Sequence, residues 1–350
     1  MSSEIYPTVP TFKVEIDGSE LSAESIAAVE SVRFEEEINM ASMFVLRLLT
    51  SDFEKGTWKF IDLKTFSLGR EIKLYMGMDS LELMMVGEIT SIEPSFGVES
   101  STVEVRGYDR LHRLRFGKRR RTFSDMKDSD IASSIASDWG LSAEVKDTGV
   151  KLPYLYQNNQ SDLEFLLDRA KRIRYELNVD DKKLFFKPAQ ENEPASLTLE
   201  NRVDIYEFNV KLSARYQGDE IKVQGWDYVK KDIISATAKS GNKVSQMSSK
   251  ETGSDMTKSA FGASSSAVVD EYLVDASDAE KVAVARYNAH LVESVTGEGR
   301  GAGYSSVRAG KTVEITGVGR FEGIYYVTST THTIDTTGYN TSFKVRRVGV

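Results

Sequence analysis

The chain has 350 residues, with 45 Lys plus Arg against 53 Asp plus Glu and a formal net charge of −8. That length allows two or three domains with real cores, and the acidic balance argues against a general nucleic-acid binder. With no cysteine in the sequence, disulfide stapling, zinc ribbons and thiol catalysis are all excluded.

The start, Met1-Ser2-Ser3-Glu4-Ile5-Tyr6-Pro7, has neither a basic region nor an apolar core, so no signal peptide is expected and synthesis and folding are expected in a cytoplasm. No window carries the run of apolar residues that a membrane span needs. Phe12-Lys13-Val14-Glu15-Ile16 alternates and then meets Asp17-Gly18, a strand entering a turn. Residues 26–37, 43–49, 71–76, 83–93 and 102–108 are further strands between turn residues. Short strands at this spacing predict a small β-barrel or sandwich, placed at residues 1–113.

Lys118-Arg119-Arg120-Arg121 is the densest charge run. A phosphate-binding reading is outweighed by a solvated loop or an inter-subunit salt-bridge contact, because no aromatic pattern interleaves the run. Residues 129–139 predict a short helix capped by Asp128 or Ser129 and stopped by Gly140, with Trp139 as a core residue. Ser161 and Glu164 then form a capping box ahead of an apolar stripe of Leu163, Phe165, Leu166, Leu167, Ala170 and Ile173. Residues 175–179 and 183–187 follow as a hairpin about Asp180-Asp181-Lys182. These elements make a middle α+β domain at residues 114–195.

Strands at 196–199, 204–212 and 219–225 open a second β-barrel domain, assigned to residues 196–235 and 305–350. Ile221-Lys222-Val223-Gln224-Gly225-Trp226-Asp227 echoes Val103-Glu104-Val105-Arg106-Gly107-Tyr108-Asp109, which suggests two related barrels whose equivalent strands end at these glycines. Residues 236–304 are expected to form a flexible and helical insertion. Its helix runs over 277–293 with Ser277 and Glu280 as a capping box, and its glycines 297, 299, 301 and 303 are expected to act as a flexible joint. Strands return at 312–316, 323–331 and 341–348.

Tests for chemistry find no anchor. Gly310-Lys311-Thr312 lacks the rest of a phosphate loop and continues as strand. His112, His290 and His332 stand far apart in no metal spacing and are expected to be structural. No Gly-x-Ser-x-Gly elbow is present. No catalytic, cofactor-binding or metal-binding residue is nominated, no cofactor is implied, and the chain is not expected to be an enzyme.

The run Tyr154 to Ala170, with Tyr154, Gln157, Ser161, Asp162, Phe165, Leu166, Arg169 and Ala170 in register, resembles the signature of contractile-injection baseplate hubs. This is the family of phage late control D proteins and the N-terminal half of VgrG. Arg174-Tyr175 stands where that signature usually has Gly-Tyr. Gly310 to Ile315, Gly323-Ile324-Tyr325-Tyr326-Val327, His332 and Gly338-Tyr339 resemble the family's closing segment. The resemblance implies a mainly β fold, two related small barrels flanking the middle domain. It also implies a homotrimeric adaptor between a six-fold inner tube and a three-fold spike. Implied partners are the tail tube ring protein, a separate spike protein and other baseplate components, within a virion or extracellular particle. VgrG proteins continue into an OB domain and a spike where this sequence stops, so the spike is expected to be a separate chain. A baseplate-associated peptidoglycan hydrolase and a carbohydrate-binding β-domain protein are the competing readings.

Overall fold

Alternation of buried and less buried side chains, interrupted at residues 84–89, gives the chain its principal element. Thr11–Ile16 (β1), Val29–Glu37 (β2), Met43–Leu49 (β3), Glu71–Gly77 (β4), Glu82–Phe96 (β5) and Ser101–Tyr108 (β6) pair antiparallel in the order β2-β3-β6-β5-β4-β1. Val32, Phe34, Phe44, Leu46, Leu48, Val103 and Val105 are fully buried on one face. Arg33, Arg47 and Arg106 alternate with them on the other, as a half-buried sheet requires. The computed structural model describes residues 9–52, 56–98, 100–214, 219–269 and 271–350. The reading of Met1–Pro7 lies outside these. Among the described residues no helix is long and apolar enough to cross a membrane.

The middle region is α+β as expected. Arg119–Lys127 (β7) pairs with Lys151–Gln160 (β9), while Ser142–Val145 (β8), Tyr175–Asp180 (β10) and Lys183–Pro188 (β11) form a separate small sheet. Helices Asp128–Asp138 (α1) and Asp162–Ile173 (α2) complete its core around Ile131, Ile135, Leu166, Leu177 and Phe186. The basic run is not a loop: Arg119 to Arg121 open β7 against β9.

Thr198–Glu200 (β12), Ile205–Leu212 (β13), Val295–Ala302 (β17), Thr312–Thr316 (β18), Gly323–Asp335 (β19) and Gly338–Arg347 (β20) make the second half, in the order β13-β17-β20-β19-β18-β12. The chain is mainly β, yet neither half closes into a barrel among the described residues. β19 pairs with β2, from Ser329 opposite Glu37 to Ile334 opposite Val32, so both halves belong to one continuous sheet. Ile334 and Tyr339 accordingly pack into the core of the first half.

Four expectations for the second half are corrected. The glycine-rich run is a strand rather than a flexible joint. Gly297 and Gly299 face the rings of Phe208 and Phe343, which occupy the space their side chains would need. Residues 220–239 leave the main sheet: Glu220–Asp227 (β14), Asp232–Lys239 (β15) and Ser265–Val268 (β16) form their own three-stranded sheet. The small-residue stretch after it is ordered, with helix Gly253–Phe261 (α3) between β15 and β16. Small side chains serve packing here: Ala238 of β15 shares one core with Ala279, Val282 and Ala283 of helix Ala276–Leu291 (α4). The cap of α4 is Asp275, whose side chain accepts from Asp278 N, and not Ser277.

Candidate interaction site: a repeated half-sheet and its open edges

The two halves of the sheet repeat one register. Shifts in pairing fall between Val29 and Ser31 in β2 and between Ile205 and Glu207 in β13, each opposite the same step of the neighbouring strand. They fall again between Ile89 and Ser91 in β5 and between Val327 and Ser329 in β19. A bulge is a local decision by one extra residue, so two coinciding pairs fix the equivalence residue by residue. β2 corresponds to β13, β3 to β17, β6 to β20, β5 to β19 and β4 to β18. The loops agree as well. Gly69 N donates to Ile89 O at 2.8 Å and Gly310 N to Val327 O at 2.9 Å, with both glycines at positive φ, 82° and 78°. The repeat breaks at one strand: β1 runs antiparallel to β4, whereas β12 runs parallel to β18.

This equivalence overturns the sequence echo. Val103–Asp109 ends β6, whose counterpart is β20, while Ile221–Asp227 lies in β14 outside the main sheet. The two glycines also serve different ends. A Cβ on Gly107 would stand 2.1 Å from Glu88 O in the adjacent strand, whereas one on Gly225 would first meet the Leu273 side chain, at 2.9 Å. The true repeat pairs Val103, Val105 and Gly107 with Thr341, Phe343 and Val345, which share alternation but not identity.

Polar contacts, from part-buried to fully buried, lie at and beside the junction between the halves. The Arg308 guanidinium donates to both oxygens of Glu36, from Nε at 2.7 Å, and to Met84 O at 2.7 Å. His332, fully buried, lies between Val307 O at 2.9 Å from Nε2 and the Tyr339 hydroxyl at 3.0 Å from Nδ1. Burial, then the nearby Arg308 charge, pushes its pKa down to about 3. Asp109 accepts from Ser42 N and Leu111 N, both at 2.8 Å. Burial outweighs these donors and pushes its carboxyl up to about 7. Beside the junction lies a cleft of ≈ 460 Å³, lined in part by Glu36, Asp109, Asp180 and Arg308.

The signature residues of the middle region are brought together as a scaffold. Ser161 Oγ accepts from Glu164 N at 3.2 Å, and Glu164 accepts from Ser161 N at 2.7 Å. Asp162, buried at the helix start, accepts from Arg121 at 2.6 Å, Trp139 Nε1 at 2.8 Å and Gln157 at 3.0 Å. Arg169 holds Asp128 at 2.6 and 3.1 Å. Trp139 is thus half-buried, at the margin of the core rather than within it. Tyr154 stands apart, exposed. His112 Nδ1 lies 2.7 Å from Asp109 O. Among the described residues no group of three or more His, Cys, Asp or Glu is placed to hold a metal ion.

A family model described as Alg8 N-terminal domain matches residues 7–336. The chain belongs to the Alg8 N-terminal domain family. No curated protein matches it. Its fold is that of phage tail and type VI secretion proteins. The 43 kDa tail protein of prophage MuSo2 from Shewanella oneidensis shares 15% identity at a TM-score of 0.71, over 97% of this chain and 98% of that one. A tail protein from Neisseria meningitidis MC58 shares 13% at 0.66, over 97% of each chain. The E. coli c3393 protein, described as a component of the type VI secretion system with similarity to T4 tail proteins gp27 and gp5, shares 14% at 0.62. That match covers 96% of this chain and 76% of that one.

Nothing in the amino-acid identities exposes the register repeat. The only signal available in the sequence is the shared phase of alternation between 103–107 and 341–345, and a phase without matched residues does not specify which strands correspond.

Proposed function

We propose that this chain is the structural hub of a contractile tail or injection-system baseplate, in which three copies form a ring between a six-fold inner tube and a three-fold spike. The observation that carries the reading is the repeated half-sheet. Two similar halves per chain let three chains present six similar faces, which removes the mismatch with a six-fold partner, and a closed ring leaves no unsatisfied interface. The fold shared with phage tail and type VI proteins supports the same setting. The proposed partners are the first ring of the tube, a separate spike protein and baseplate components. The chain is made in a bacterial cytoplasm and built into the particle. The division into two outer units and a middle domain belongs to this proposal, with 205–212, 295–302 and 312–347 carrying the second face.

The role is geometric adaptation, with no turnover. Native mass spectrometry of the chain bound to its spike should give three copies per complex; one, two or six would sink the reading. Purified cell walls should not clear. Clearing that vanished on substitution of a single Asp or Glu would replace the hub with a hydrolase.

A further inference from the structure

Two parts of the sequence that the scaffold of the middle region does not use meet on one face of the β7–β9 ribbon. Within the run Lys118 to Arg121, Arg119 and Arg121 are committed. Both reach Asp138 and Asp162, Arg121 at 2.6 Å from each, and Arg119 lies over the Trp139 ring at 5.2 Å. Arg120, between them on the strand, alternates to the other face and is exposed. Within the signature run, Gln157, Ser161, Asp162 and Arg169 are hydrogen-bonded, and Phe165, Leu166 and Ala170 are buried. Tyr154 is instead 57% exposed, and Tyr156 beside it 44%. The pairing of β7 with β9 sets Arg120 opposite Asn158, Thr122 opposite Tyr156 and Ser124 opposite Tyr154.

Side chains of one face recur at every second residue, so these six share the face turned away from the core. All six are exposed, and among the described residues none of them makes a side-chain hydrogen bond, ion pair or ring contact. The opposite face is fixed. Phe123 stacks on Phe165 with ring centroids 5.5 Å apart, Leu152 is buried, and Gln157 accepts from Arg121 Nε at 2.8 Å. We infer that the exposed face is a binding platform for an acidic oligosaccharide. Tyr154 and Tyr156 take the C–H faces of sugar rings, Arg120 takes a carboxylate of the chain, and Thr122, Ser124 and Asn158 bond its hydroxyls. The Cα atoms of the two tyrosines lie about 7 Å apart along β9. Directly opposite residues such as Thr122 and Tyr156 have Cβ atoms about 5 Å apart, so each ring has a hydroxyl beside it. The ribbon is no part of the repeated half-sheets, and the platform does not rest on the hub reading.

The chemistry of the face selects its occupant. A nucleic acid needs several cations, because its affinity follows the number of phosphates neutralised, and of the six residues only Arg120 is a cation. A stable protein contact covers about 20–30 residues a side around an apolar centre, and this face has no aliphatic side chain. A sugar is apolar on its C–H faces and polar at its rim, which matches two rings flanked by hydroxyl and amide groups. No acid stands among the six, and the planar fork of a guanidinium suits a carboxylate.

Native gels containing a polysaccharide test the platform on the full chain. Polygalacturonate and hyaluronan, which carry sugar carboxylates, should retard the protein, and neutral dextran should retard it less. Tyr154→Ala and Tyr156→Ala should each weaken retardation about five-fold through lost stacking, whereas Tyr156→Trp should keep it. Arg120→Gln should remove the preference for the acidic polymers over dextran. Thermal melts separate these effects from misfolding, and exposed positions without partners should shift them little. Polyglutamate and oligothymidylate carry charge without sugar stacking, so retardation by either as strong as by polygalacturonate overturns the proposal. Absence of retardation by both acidic polysaccharides in the unaltered chain overturns it as well. If neither binds, and the Tyr154→Ala, Tyr156→Ala double variant fails to assemble with the tube and spike proteins, the face is a protein contact instead. The hub reading stands or falls separately, on the number of copies in the complex.

Discussion

Arg172 in α2 donates from Nη1 and Nη2 to the two carboxylate oxygens of Asp278 in α4, at 2.7 and 2.6 Å, across 106 residues of sequence. Both side chains are almost wholly buried, 5% and 1% exposed. The pair ties the middle region to the helix beneath the small three-stranded sheet, and Arg172 also reaches Tyr272 O at 2.9 Å. Removing one member leaves the other charge buried without its partner, which is the costly way to break such a pair. Arg172→Ala is expected to lower unfolding free energy by about 3–5 kcal/mol, measured by urea denaturation. A loss below about 1 kcal/mol would place the pair in the class of exposed bridges that contribute little.

The glycines of β17 make a second prediction. A Cβ on Gly299 would fall 2.3 Å from the Phe343 ring, so Gly299→Ala is expected to cost about 1–3 kcal/mol through overpacking. Phe343→Leu in the same chain should recover part of that loss. Gly301→Ala should be worse and unrescued by any side-chain change, because its Cβ would meet Asp204 O at 2.1 Å. Equal costs for both, with no rescue of the first, would contradict the packing account.

Ser161→Ala tests the helix start. It deletes the acceptor for Glu164 N, and the expected loss is about 1 kcal/mol. The change should appear as a lowered denaturation midpoint with an unchanged urea slope; no change in midpoint would mean that packing alone fixes the helix boundary.

Acid dependence follows from His332. Its folded pKa of about 3 lies below the ordinary value of 6.5, so the unfolded chain binds the proton first. Stability is lost as pH falls through that window, at no more than about 1.4 kcal/mol per pH unit. Asp109, raised to about 7 from 3.8, acts in the opposite direction, losing stability as pH rises between those values. Comparing the protein with His332→Gln isolates the histidine. The stability advantage of the unaltered chain should shrink between about pH 7 and pH 5, and an advantage that stayed constant across that range would contradict a buried neutral imidazole.

Sequence alone determined what depends on neighbours along the chain. Residues 162–173 became a helix because Ser161 and Glu164 close a capping box ahead of an apolar stripe, and that box is present in the structure. The strands of the first half, except at 26–28, which end the short helix Ala23–Ala28, and the 175–188 hairpin are legible for the same reason, since alternation and turn residues act within a few positions. Tertiary structure decided which strands pair. Gly297, Gly299 and Gly301 look flexible as a string, yet they form a strand because Phe208, Phe343 and the backbone of Asp204 occupy the space their side chains would fill. The seven-residue likeness of 103–109 and 221–227 carries no structural equivalence, whereas 103–107 and 341–345, unlike in sequence, hold the same place in two halves. Register is set by bulges and by contacts between strands remote in sequence. Two strands can therefore keep one geometry with few residues in common, and only the assembled sheet reveals that they do.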